Sequence, residues 1–308
     1  MQILNSHSSI STGTSVLALG SFESLSAAHM ALFSRAKQQA AERGAQAGVY
    51  TFTGRPGALL FPQSDNRLIY TNEERVSILA DCGMDFVCFE PFDLAFSQME
   101  AEAFLRMLAE RFHLVCAVAG FHYRFGRGAA GDAAMLQQLG EKIGFDTVIV
   151  EPVMQDGVLV SSTRIREQLL CGDVAAVARL LGRDYSITGR IAADRGVGTK
   201  MGIPTANLQL DKNRLLPKNG VYATYVMLDG VRYPSVTNIG IRPTFSLHTV
   251  TVETHILDFS GDLCGRTLTV YFLDRIRSEV KFDSREALVS QIHRDMASAK
   301  HCFAQNDR

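Results

Sequence analysis

The sequence predicts two folded domains: a mostly parallel α/β sheet covered by helices on both faces, then a small antiparallel β-barrel closed by a C-terminal helix. Three observations carry this. Through about residue 160, short apolar runs alternate with segments whose apolar residues recur at helical spacing, the pattern of a strand–helix–strand sheet. After Gly182 the texture changes to short runs rich in Val, Ile, Thr and Tyr, punctuated by Asn219-Gly220, Asp229-Gly230 and Ser260-Gly261-Asp262, as antiparallel strands joined by tight turns require. The chain then ends in one amphipathic helical pattern over residues 284–300.

In chain order, residues 15–20, 48–52, 85–89, 114–119 and 147–150 read as buried strands, and 27–43, 72–82, 98–111 and 131–143 as the helices between them. Near-continuous apolar strands are those of a parallel sheet buried on both sides, whose ligand crevice lies at the carboxyl ends of its strands. Two more helices follow at 162–170 and 174–181, with Cys171-Gly172-Asp173 as the break and N-cap between them. Asp229-Gly230, between runs at 221–228 and 231–236, is a two-residue hairpin turn. Evenly spaced strands of this kind predict a barrel, and Ser284 is placed to cap the closing helix. The texture change puts the domain boundary near residues 182–186, dividing the chain into 1–183 and 184–308. No internal repeat or low-complexity segment interrupts either half.

A length of 308 residues suits two domains, and 46% hydrophobic residues suffice for two packed cores. A formal net charge of −1 gives no electrostatic case for nucleic acid or an anionic membrane as partner. Residues 1–14 lack the basic start and apolar segment of a secretory signal, and no apolar run is long enough to cross a bilayer. The six cysteines form no C-x-x-C pair, so neither a disulfide framework nor a zinc site is expected. A reducing cytoplasm is the expected setting, with small molecules as partners and the oligomeric state left open.

The most specific chemistry lies at Gly202-Ile203-Pro204-Thr205-Ala206-Asn207, preceded by a stretch holding Gly196, Gly198 and Lys200. Glycines let backbone N–H groups approach an anion closely. Thr205 and Asn207 alternate along an extended segment, so their side chains share one face. A hydroxyl and an amide carbonyl are hard oxygen donors suited to magnesium that also contacts phosphate. Downstream stand Asn238-Ile239-Gly240-Ile241-Arg242-Pro243-Thr244-Phe245, Val252-Glu253-Thr254-His255, Arg277, Glu279 and Lys281-Phe282.

In this order and spacing these segments resemble the riboflavin kinase module, over roughly residues 185–300. The upstream part resembles the FMN adenylyltransferase module of the bacterial bifunctional FAD synthetases, through Arg124-Phe125-Gly126-Arg127-Gly128 and Val160-Ser161-Ser162-Thr163-Arg164-Ile165-Arg166. The resemblance implies a nucleotidyltransferase-like, Rossmann-like first domain and a riboflavin kinase barrel, with ATP, magnesium and riboflavin or FMN as ligands. It implies that Gly196, Gly198, Lys200, Gly202, Pro204, Thr205 and Asn207 bind ATP, with Thr205 and Asn207 on the metal. It makes Glu253 the catalytic base and sets Arg242, Thr244 and Arg277 against the flavin; His255 is expected to be structural. The family loop usually reads G-x-G-R-G-[RK]-x-L-G-[FI]-P-T-A-N, and Asp194, Val197 and Thr199 depart from it, so weaker ATP binding is expected.

Departures are heavier in the first module. Its signature G-x-F-D-G-V-H-x-G-H stands here as Gly20-Ser21-Phe22-Glu23-Ser24-Leu25-Ser26-Ala27-Ala28-His29. Phe22 and His29 survive, but Ser26 replaces the first histidine and Glu23-Ser24 an Asp-Gly pair. His122 stands where an Asp or Asn is usual, and Arg55 where T-F-x-P-H-P has its histidine. A serine supplies no positive charge, and loss of one donor at a developing charge costs about 10²–10³ in rate. Ser162, Thr163 and Arg166 remain suited to phosphate, as hydroxyls and an arginine at a helix start. The leading expectation is a riboflavin kinase whose adenylyltransferase-like site, built on Phe22, Ser26, His29, His122, Ser162, Thr163 and Arg166, is weakened or lost. Two alternatives stand beside it: a fully bifunctional enzyme with a variant first motif, and a non-catalytic flavin- or nucleotide-binding regulator.

Overall fold

Six parallel strands form the first sheet of the computed structural model, which describes all residues except Ser11, Pro62, Ser64, 193–202, 244–247 and 307–308; at 242–243 and 248–249 it describes the backbone alone. The chain divides into two compact units, Met1–Ser162 and Thr163–Arg308.

The first unit runs β1 (Gln2–Asn5), β2 (Ser15–Leu19), α1 (Ala27–Arg43), β3 (Gln46–Phe52), α2 (Pro56–Leu60), α3 (Asn72–Asp81), β4 (Phe86–Glu90), α4 (Leu94–Ser97), α5 (Ala101–Phe112), β5 (Leu114–Gly120), α6 (Ala133–Ile143) and β6 (Asp146–Val150). A small hairpin, β7 (Met154–Gln155) with β8 (Val158–Leu159), leads to α7 (Ser162–Cys171). The five expected strands and four expected helices are all present. The polar-flanked β1 was not legible; it gains its ladder by pairing with β4.

Sheet order is β1-β4-β3-β2-β5-β6. All five residues of β2 are buried, as a central strand covered on both faces requires. Val16, Ala18, Val49 and Val87 join Phe33 and Ala36 of α1 on one face. Leu17, Leu19, Tyr50 and Cys88 join Leu105, Leu108 and Phe112 of α5 on the other. From β2 the chain proceeds to β3 and β4 on one side, while β5 and β6 lie on the other. The order therefore reverses between β2 and β5, opening a crevice at their carboxyl ends.

The second unit holds the rest of α7, α8 (Val174–Leu181), β9 (Tyr185–Ala192), β10 (Ala206–Gln209), β11 (Gly220–Leu228), β12 (Val231–Pro243), β13 (His248–Ile256), β14 (Thr267–Arg277) and α9 (Arg285–Asn306). The strands close into a barrel in the order β10-β13-β12-β11-β14-β9. Asp229 and Gly230 both take positive φ, 50° and 82°, the conformation expected of a two-residue hairpin turn. Hydroxyls line part of the interior: Thr224 lies 2.7 Å from Ser235 and 2.8 Å from Thr237, which lies 2.9 Å from Thr254. All four side chains are fully buried, so each hydroxyl depends on its neighbours for a partner. Helix α8 packs on β9 and β14, and α9 on β11, β12 and β14. Ser284 caps α9 as expected, accepting from the Ala287 N–H at 3.1 Å.

One glycine tests the packing of the first sheet. A Cβ at Gly48 would fall 2.1 Å from the Phe86 ring, and Phe86 is itself buried. Gly48→Ala is expected to cost about 1–3 kcal/mol by overpacking, read as a lower urea midpoint with unchanged slope.

Candidate functional sites

In the first unit the candidate residues cluster where β2 and β5 end. Immediately after β2, Phe22 and Leu25 take left-handed φ values of 44° and 46° although both are fully buried. Bulky residues avoid that region, and packing holds them there: the Phe22 ring lies 4.9 Å from Phe33 and 5.2 Å, edge-on, from His29. Phe22 thus anchors the turn from beneath.

Ser26 is the N-cap of α1. Its N–H donates to His29 Nδ1 at 3.0 Å, with its Oγ 3.2 Å from the same nitrogen. An Nδ1 that accepts a backbone bond carries no proton, so the neutral ring is protonated at Nε2. Ser24 Oγ lies 2.9 Å from Ser162 Oγ, tying the loop after β2 to the start of α7. Thr163 follows on the first turn of α7 and is exposed, and Arg166 lies one turn in, half-buried; both belong to the second unit. His122 is exposed just beyond β5, its ring 4.8 Å from Phe121.

Two of the motif departures meet in space. Arg55 Nε lies 3.1 Å from Glu23 Oε2, with the side chains 25% and 11% exposed. Beside them Arg75, 2% exposed, donates to the carbonyls of Phe52 and Ser21, to Thr51 Oγ1 and to Asn72 Oδ1. Burial pulls the Arg75 pKa down to about 10, with the Glu23 carboxylate acting in the opposite direction. Sequence reasoning flagged Glu23 and Arg55 singly; their opposite charges were the available signal that they pair. Arg75 carried no signal, because a helical arginine ordinarily faces water.

In the barrel, register assembles the second site. Asn207 of β10 is the cross-strand partner of Glu253 of β13, which is also the partner of Asn238 of β12. Three polar side chains therefore stand abreast on one face, all half-buried. The alternate residues Val252, Thr254 and Ile256 are buried, so Glu253 projects from the outer face. Asn207 Nδ2 donates to the Thr205 carbonyl at 3.4 Å, turning its carbonyl oxygen away from that bond. The Thr205 hydroxyl and the Asn207 amide oxygen are hard donors, a set that suits magnesium. His255 Nδ1 donates to the Pro204 carbonyl at 2.7 Å, holding the entry to β10. Asn238 was quoted in the sequence without a role, and only the strand pairing reveals its place beside Glu253.

Arg277 is bound in parallel to Asp295 of α9, at 3.0 Å from Nε and 2.8 Å from Nη2, while Gln291 donates to the same carboxylate at 2.8 Å. Its guanidinium thus fastens β14 to α9. Arg242 lies in β12 with only its backbone described, and Gly196, Gly198, Lys200, Gly202 and Thr244 lie outside the described residues. Glu279 lies against Gly240, where a Cβ would fall 2.3 Å from its carboxylate.

A Rossmann-like sheet with a ligand crevice, joined to a six-stranded barrel carrying an acid between two amides, defines a two-module nucleotide-handling protein. Comparison with known proteins gives the family. Residues 8–164 match the FAD synthetase family model and residues 181–303 the riboflavin kinase model. The bifunctional riboflavin kinase/FMN adenylyltransferase of Escherichia coli K12 is 33% identical, over 94% of this chain and 92% of that protein. Its Pseudomonas fluorescens counterpart is 34% identical, over 92% of each. A crystal structure described as a macrolide-efflux protein from Streptococcus pneumoniae superposes with a TM-score of 0.89 at 30% identity, covering 97% of this chain and 99% of that one. The chain belongs to the bifunctional riboflavin kinase/FMN adenylyltransferase family. Among the described residues, no helix is long and apolar enough to cross a membrane.

The Arg277–Asp295 pair has a measurable weight. Asp295 is 3% exposed at its side chain, so Arg277→Met strands a buried carboxylate with Gln291 as its remaining side-chain donor among the described residues. The expected loss is about 3–5 kcal/mol, measured by urea unfolding; a loss below about 1 kcal/mol would show that the pair is not a structural fastener.

Proposed function

We propose that the barrel transfers the terminal phosphoryl group of ATP to the 5′-hydroxyl of riboflavin, with Glu253 as the base. The observation that carries this reading is the row of Asn207, Glu253 and Asn238 across three neighbouring strands. The hydroxyl proton passes to the Glu253 carboxylate as the hydroxyl oxygen bonds to the γ-phosphorus. The bond from that phosphorus to the bridging oxygen breaks, and ADP leaves. Asn238 flanks the base on the side opposite Asn207. Magnesium held by Thr205 and Asn207 would neutralise charge on the phosphate oxygens. His255, through Pro204, keeps Thr205 and Asn207 in step with the base. Gly196, Gly198, Lys200 and Gly202 belong to this reading as phosphate contacts, and Arg242 and Thr244 as flavin contacts. For Arg277 the Asp295 pair supports a positioning role.

The reading assigns residues 1–183 to FMN adenylyltransferase and 184–308 to riboflavin kinase. In the first module, attack of the FMN phosphate on the α-phosphorus of ATP would release diphosphate. Ser26 serves there as a helix cap and offers no positive charge, so FAD formation is weakened relative to FMN formation. The bifunctional relatives favour a second reading, in which both reactions run at full rate.

Glu253→Gln keeps the shape of the base and removes its ability to take a proton. FMN formation from riboflavin, ATP and Mg²⁺ is expected to fall by about 10²–10⁴, and normal turnover would sink the assignment. Product chromatography of the wild type is expected to show FMN accumulating well ahead of FAD. Equal accumulation from parallel riboflavin and FMN reactions would instead establish the second reading.

A further inference from the structure

A cavity of about 230 Å³ opens beside the Glu23–Arg55 pair, with Ser21, Glu23, Arg55, Tyr70 and Arg75 among its lining residues. It lies where β2 and β3, adjacent in the sheet, run out into their following loops. Thr51 Oγ1 donates to the Ser21 carbonyl at 2.9 Å and ties those loops together. Two guanidinium groups and one carboxylate give the wall a net charge of +1. Arg75 Nε is buried and has no hydrogen-bond partner among the described residues, although the other guanidinium nitrogens are bonded. Arg55 also donates to the Asp65 carbonyl, so its position is held from two sides. A pocket lined by two guanidinium groups attracts an oxyanion, because guanidinium groups bind phosphate in forked geometry.

We propose that this cavity is a phosphate subsite in which Glu23 is a built-in competitor: its carboxylate occupies Arg55 and must yield when a phosphate group arrives. The proposal rests on the reading of the first module as a weakened adenylyltransferase and gives a physical source for the weakening. Binding is then an exchange of one anion for another at Arg55. The chemistry recognised is a phosphate oxyanion, carried by FMN or by the nucleotide. A pair that merely stabilises the fold makes a different prediction, because neutralising Glu23 would then leave anion affinity unchanged or lower it.

Calorimetric titration with FMN and with ADP, neither of which reacts alone, separates the two. Riboflavin and adenosine serve as the phosphate-free controls. Glu23→Gln is expected to bind FMN or ADP about 10-fold more tightly than the wild type, with no gain for its phosphate-free control; the ligand that gains identifies the source of the phosphate. Arg55→Gln is expected to weaken the same ligand, and the double variant to behave as Arg55→Gln. Unchanged or weaker binding by Glu23→Gln, or a gain that survives in the double variant, overturns the proposal. Should Glu23→Gln fail to fold, the wild type carries the test through dicarbonyl modification of Arg55. Saturating FMN or ADP is expected to slow it at least several-fold, whereas equal rates with and without both ligands overturn the proposal. Full-rate FAD formation by the wild type would remove the weakened-enzyme reading without altering this affinity comparison.

Discussion

Strand register in the barrel is the constraint on which the kinase-like site depends. Side chains alternate across a strand, so a slip of one residue in β13 would exchange Glu253 for Thr254 on the outer face. The interior resists that slip. Thr254 bonds to Thr237, and Thr237 to Thr224. Moving Glu253 inward would desolvate a carboxylate among hydroxyls already paired to one another, a cost of several kcal/mol. The paired hydroxyls of the interior therefore act as a register lock for the side chains on the outer face.

The first unit uses a different constraint. Its sheet gains stability from continuous apolar strands that carry no chemistry, and everything reactive is pushed to the loops at the carboxyl ends. There the turn after β2 is bent by two left-handed residues, Phe22 and Leu25, held by their own burial. Such a conformation persists only because surrounding packing outweighs it. The Ser26–His29 cap then fixes one nitrogen of the imidazole to the backbone, so the ring is oriented before any ligand is present.

Much of this was legible in the sequence where local chemistry decides local structure. Apolar runs marked strands β2 to β6, Asp229-Gly230 the hairpin and Ser284 the cap of α9. The alternation around Glu253 separates it from the buried Val252, Thr254 and Ile256, while Val250, in step with those three, is 45% exposed. What escaped depends on partners distant in the chain. β1 is a strand because β4 offers it a ladder, and nothing within Gln2–Asn5 announces that. The partner of Arg277 escaped because Asp295, on another element, is invisible to a reading of its neighbourhood. Glu23 and Arg55 were noticed as separate oddities, and only the fold shows that each accounts for the other.

The bond from His255 to the Pro204 carbonyl has a mechanical consequence. His255 stands two residues from Glu253 on the same strand, so β13 carries both the acid and the tether of the segment leading to Thr205 and Asn207. Thermal displacement of that segment must drag β13 with it, and displacement of β13 must drag the segment. The Glu253 carboxylate and the hard donors Thr205 and Asn207 are thus mounted on one carriage, whose internal distances survive movements that would misalign two independent supports.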